Sequence, residues 1–111
     1  QVDVARQIES VIAADLSHSH TVREFSAQFG ISEGSIKHYF FGVFGQSISR
    51  YTTHKRMMYA AGLLEKTDLP VIEVAGRVGY ESQSKFASAF RREFGLPPFE
   101  YRKKKKVSDM L

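Results

Sequence analysis

The sequence predicts an all-α chain of seven helices in which one supersecondary unit is used twice. Three observations predict it. Residues recur at an offset of 50 positions, so that Ile36, Phe40, Phe44, Gly45, Ser47 and Tyr51 are answered by Phe86, Phe90, Phe94, Gly95, Pro97 and Tyr101. Each copy opens with a small residue and a glycine four positions on, Ser26 with Gly30 and Ala75 with Gly79, before a polar turn. Between the glycines and prolines at Gly30, Gly45, Pro70, Gly79, Gly95, Pro97 and Pro98, apolar residues follow helical rather than alternating spacing. The small residue lets two helices approach, and the glycine gives the tight turn its backbone freedom. Two helix-turn-helix subdomains joined by a long linker helix are therefore expected, with no sheet.

The elements follow in order. Val4, Ile8, Val11 and Ile12 draw an apolar stripe along a first helix ending near Asp15. Thr21 with Glu24 has the spacing of a capping box and starts a short second helix whose Val22, Phe25 and Phe29 face inward. Ser32 is a good cap for the third helix, with Ile36, Phe40 and Phe44 at i, i+4 and i+8. A longer fourth helix is expected from Ser47 to about Lys66, with Ile48, Tyr51, Met58 and Leu63 among its apolar positions. Pro70 suits the first turn of a fifth helix, where its missing N–H costs nothing, and Val71, Val74, Ala75 and Val78 form the buried side. Ser82 caps a sixth helix through about Phe94. Pro97 or Pro98 starts a short seventh helix whose Phe99 and Tyr101 tuck back on the core. The expected division is residues 1–45, 46–66 for the linker helix, and 67–105.

At 111 residues the chain suits one domain or two small linked cores. Its net charge is +4, but five of the 16 basic residues stand together as Arg102, Lys103, Lys104, Lys105 and Lys106. Without those five, 11 basic residues face 12 acidic ones, so the case for a nucleic-acid partner rests on placement, not bulk charge. The lysine run itself reads as a solvated, frayed terminus that adds non-specific phosphate affinity. The absence of cysteine excludes disulfides, a thiol nucleophile and a thiolate metal site, and fits a cytoplasmic setting. No segment is apolar for long enough to cross a bilayer, so no membrane partner is expected. The start at Gln1 rather than Met is expected to mark a fragment of something longer.

No nucleophile-base spacing or phosphate-cradling glycine loop is present, and neither an enzyme nor a cofactor is expected. His18 and His20 lie in a loop and could touch a metal, but two histidines without further ligands read as loop residues. His38 and His54 read as polar helix positions.

With Ile36, Phe40 and Phe44 inward, a rotation of about 100° per residue turns Gly34, Lys37, His38 and Phe41 outward on the third helix. The same arithmetic on the sixth turns Ser84, Ser88 and Arg91 outward, with Gln83 and Lys85 in its exposed first turn. That donor-rich set is what major-groove edges and phosphates require. On one helix it would read as a merely solvated face; two helices in matched register, each behind a glycine turn, favour DNA reading.

These residues resemble the DNA-binding domain of AraC/XylS-type transcription regulators. The most specific stretch runs from Thr67 through Val78-Gly79-Tyr80-Glu81-Ser82-Gln83-Ser84-Lys85-Phe86 to Phe90-Arg91-Arg92-Glu93-Phe94-Gly95-Leu96-Pro97-Pro98 and Arg102. Arg56-Met57, Ala60 and Leu63-Leu64 extend the resemblance over the linker helix, and it covers the chain from Thr21 to Arg102. It implies a sequence-specific regulator whose two reading helices enter successive major grooves of double-stranded DNA. It also implies an N-terminal sensing or dimerising domain, activation through RNA polymerase, and a cytoplasmic protein that is nucleoid-associated when bound. Ser35, Lys37 and His38 match the base-contacting positions of the first reading helix, and Gln83, Ser84, Lys85 and Ser88 those of the second. Arg91 and Arg92 match phosphate-facing positions, and Arg56 resembles a structural arginine.

The first unit departs from the family pattern at Gly34 and at Phe41-Gly42-Val43. Phe41 could pack on a thymine methyl, meet another domain, or stand as an exposed aromatic. The alternative function is a helical protein-interaction domain that keeps the fold with little DNA binding and uses Phe41 and Val43 for its partner. A steep fall of affinity with salt separates the two.

Overall fold

The computed structural model describes residues 1–111 and contains seven α-helices and no strand. They are α1 (Val2–Ala14), α2 (Val22–Phe29), α3 (Glu33–Phe44), α4 (Ile48–Lys66), α5 (Val71–Arg77), α6 (Gln83–Phe94) and α7 (Pro98–Met110). The chain forms two compact units, Gln1–Thr53 and His54–Leu111, which divide within α4. No helix is long and apolar enough to cross a membrane.

In the first unit, Ile8 and Ile12 of α1, Phe25 of α2 and Ile36 and Phe40 of α3 meet Ile48 and Tyr51 in one buried cluster. Thr21 Oγ1 accepts from Glu24 N at 3.1 Å and Ser32 Oγ from Ser35 N at 3.1 Å, so both expected caps hold. Only the threonine half of the capping box forms, because the Glu24 carboxylate turns instead toward His18 Nε2 at 3.5 Å. The turn into α3 runs through Gly30 at φ 64°, a left-handed conformation that side chains resist. Across it, Ile31 N donates to the Ser26 carbonyl at 3.3 Å, and Ser26 Oγ donates to the Ile31 carbonyl.

The second unit repeats this plan. Met57, Ala60, Ala61 and Leu64 of α4 meet Val74 and Ala75 of α5, Val78, and Phe86, Ala89 and Phe90 of α6. Gly79 takes the left-handed turn at φ 89°, and Tyr80 N donates across it to the Ala75 carbonyl at 2.9 Å. Ser82 Oγ caps α6 by accepting from Lys85 N at 3.2 Å. An aromatic triad closes each core. Phe40, Phe44 and Tyr51 have ring centroids 4.7, 5.4 and 5.3 Å apart, and Phe90, Phe94 and Tyr101 lie 4.7, 5.1 and 5.5 Å apart. The tyrosine hydroxyls donate to carboxylates at 2.6 Å, Tyr51 to Glu9 and Tyr101 to Glu65. Burial first, and then the bonded carboxylate, raises both phenol pKa values, that of Tyr101 to about 12.

Not every apolar position of α4 is buried, and two expectations are corrected. Met58 is half exposed, because the buried stripe of α4 changes register between Thr52, in the first unit, and Met57, in the second. Phe99 is 62% exposed, since Pro98, Tyr101 and Arg102, at i, i+3 and i+4, form the inner side of α7. Finally, α7 is not short: the lysine run continues the helix to Met110. Lysine is a good helix former, Arg102 Nε donates to the Leu64 carbonyl at 3.0 Å, and Lys106 Nζ meets Asp68 Oδ1 at 2.6 Å.

Candidate nucleic-acid interface

In each unit the helix after the glycine turn buries one phenylalanine edge and exposes the opposite one. Phe86 and Phe90 are fully buried, and this fixes the rotation of α6 about its axis. Ser84, Ser88 and Arg91 then share an outer stripe, with Lys85 and Arg92 on its flank and Gln83 in the first turn, and all six are exposed. Two further contacts hold α6. His54 Nδ1 of α4 lies 2.7 Å from Glu93 Oε1, and the Tyr80 ring packs edge-on against Phe86 at 5.7 Å, with the Arg56 guanidinium 5.9 Å from the centroid of the Tyr80 ring. Arg56 thus supports the turn before α6, in keeping with a structural role. Nothing local in the sequence links His54 to Glu93, 39 residues away, so Glu93 is a positioning residue that pattern reading missed.

On α3 the matching stripe is Gly34, His38 and Phe41, with Lys37 beside it. Lys37 and His38 are exposed as expected. Ser35 is only half exposed, and its hydroxyl lies 3.0 Å from the Ser32 cap, so it is tied to the helix start. Phe41 is 59% exposed. A Cβ added at Gly34 or Gly42 would meet nothing within 4 Å, so packing does not require either glycine. The α6 face therefore offers three cations and three neutral donors. The α3 face offers one lysine, a histidine, a cap-bound serine and an exposed aromatic ring.

The helix-turn-helix domain family matches residues 25–104, which takes in both turns and both exposed helices. The chain belongs to the AraC-type helix-turn-helix family. Within it, the domain is 34% identical over 82 residues to the HTH-type transcriptional regulator ExsA of Pseudomonas aeruginosa, covering 74% of this chain and 30% of that protein. It is 37% identical over 87 residues to the RCS-specific HTH-type transcriptional activator RclR of Escherichia coli, covering 78% of this chain and 31% of RclR. The chain thus spans about a third of the length of the curated relatives it matches. Among solved structures, the DNA-binding domain of the global transcriptional factor AdpA, in complex with a target DNA, superposes with a TM-score of 0.87 at 26% identity. That match covers 94% of each chain.

Proposed function

We propose that this AraC-type domain is the DNA-reading part of a sequence-specific transcription regulator, with α6 as the principal reader and α3 as the second. The observation that carries the reading is the repeated, register-matched exposed face behind each glycine turn, donor-rich on α6. Gln83, Ser84, Lys85 and Ser88 are assigned to base edges, and Arg91 and Arg92 to phosphates. On α3 the base contacts fall to Lys37 and His38, with Ser35 contributing through its hydroxyl. The AdpA domain, solved on its target DNA, supports double-stranded DNA as the partner. The two reading helices enter successive major grooves, residues 1–45 and 67–105 act as the reading subdomains, and 46–66 joins them. In the full protein an N-terminal sensing or dimerising domain controls the activity, and activation proceeds through contact with RNA polymerase in the cytoplasm, on the nucleoid when bound. The activators among its relatives favour activation.

Selection of bound duplexes from a randomised pool at near-physiological salt tests the reading. Two motifs about 10–10.5 bp apart are expected if both helices read. A single motif would leave α6 as the sole reader. No enrichment would overturn the proposal in favour of the protein-interaction alternative.

A further inference from the structure

We propose that His18, His20 and Glu24 form a site for a zinc-class divalent cation, which would clamp the α1–α2 loop to the start of α2. The two histidines alone are unremarkable as ligands; the fold supplies a third. One ligand atom from each residue lies within 4.8 Å of the others, and His18 Nε2 is already 3.5 Å from Glu24 Oε2. Metal–nitrogen and metal–oxygen bonds of about 2.1 Å set tetrahedral ligand–ligand separations near 3.4 Å, so that pair stands close to a bound geometry. The other separations reach up to 4.8 Å and would shorten on metal binding.

The surroundings hold the three groups in place. The His18 and His20 rings pack edge to face at 4.6 Å, and His20 lies 5.8 Å from the ring of Phe25, a fully buried core residue. His20 Nε2 is 3.3 Å from the Asp15 carbonyl. An N–H donated there leaves Nδ1 with its lone pair for a metal, and a backbone carbonyl is a common outer partner for a ligating histidine. Glu24 sits in the first turn of a helix capped by Thr21, which fixes its backbone beside the loop. Two imidazoles and one carboxylate suit zinc, copper or nickel rather than magnesium or calcium, which take oxygen ligands. Water would complete the coordination. The site is separate from the proposed DNA-reading faces, and the inference does not depend on them.

The test is calorimetric titration of zinc sulfate into chelator-treated protein at neutral pH, with the thermal midpoint measured alongside. One-to-one binding is expected, with a raised midpoint that equal concentrations of magnesium or calcium do not produce. His18→Ala, His20→Ala and Glu24→Gln should each weaken zinc binding by about tenfold or more, while His38→Ala and His54→Ala leave it unchanged. Circular dichroism checks that each variant keeps its helices, and a visible cobalt(II) band lost in the three ligand variants gives a second readout. Absence of zinc binding, or binding that survives in folded His18→Ala and Glu24→Gln proteins, overturns the site.

Discussion

Phe40, Phe44 and Tyr51 in the first unit and Phe90, Phe94 and Tyr101 in the second build the same aromatic triad, with matching ring separations within about half an ångström. Outside, the match stops: Gly34, His38, Phe41 and Gly42 stand where the second unit has Ser84, Ser88, Arg91 and Arg92. A buried ring leaves few alternatives, because a changed volume opens a cavity or forces strain. An exposed helix position costs within about 0.5 kcal/mol to change. The two copies are thus held alike where packing decides and have parted where only a ligand could. On the proposed reading, the difference gives the two helices unequal shares in DNA contact, with α6 carrying the larger.

The equivalence of the two cores predicts the largest effects. Phe40→Ala and Phe90→Ala each remove a fully buried ring and should cost about 3–5 kcal/mol. Denaturant unfolding measures the loss, and hydrogen exchange locates it: protection should fall in α1 to α3 for the first variant and in α5 to α7 for the second. Loss of protection spread evenly over the chain in either variant would break the picture of two separate cores.

The inequality of the two surfaces predicts effects on DNA. Lys85→Ala should cost about 1–3 kcal/mol at one or two base pairs and relax preference there. Ser35→Ala should alter base preference less, since its hydroxyl already engages Ser32. Arg91→Ala should weaken all sequences alike and reduce the salt slope by about one contact. Comparing selected motifs and salt titrations checks all three. Ser35→Ala changing specificity as much as Lys85→Ala would make the two readers equal after all.

The helix positions, the caps at Thr21, Ser32 and Ser82 and the inward edges of α3 and α6 were all legible, because each rests on local spacing or local turn chemistry. What stayed hidden depends on residues far apart. That Met58, one of the apolar positions of α4, stands outside the core follows from one helix serving two cores in turn. The length of α7 depends on Arg102 reaching the Leu64 carbonyl and Lys106 reaching Asp68, 38 residues away in each case. On the surfaces, exposure could be read from periodicity, but the pairing of Glu24 with His18 required the loop's path.

The tyrosine hydroxyls sharpen the comparison more gently. Tyr51→Phe removes a part-buried bond to Glu9 and should cost about 1.5 kcal/mol, while Tyr101→Phe removes a more exposed one and should cost about 1 kcal/mol. Both phenol pKa values are raised on folding, so the contribution is present below the ordinary value of about 10 and lost as pH rises through the folded value. For Tyr101 the window runs from there to about 12. Unfolding measured across it should show the wild-type advantage over Tyr101→Phe shrinking, and a constant advantage would mean that it does not come from the bond of the neutral hydroxyl to Glu65.

Gly42 gives the smallest effect and the most direct probe of why the surfaces differ. An added Cβ there would meet open space, and the residue lies inside α3, so Gly42→Ala should stabilise the first unit by about 0.5–1 kcal/mol. Gly42→Arg places a guanidinium at the position that Arg92 occupies in the repeat. If α3 lies against DNA as α6 does, that variant should bind every sequence more tightly and steepen the salt slope by about 0.9 for the one added contact. Arg92→Ala should lower the slope by the same amount. A slope that responds to Arg92→Ala but ignores Gly42→Arg would mean that the first helix, despite its matched scaffold, does not face phosphate as the second does. The repeat would then be one of packing alone.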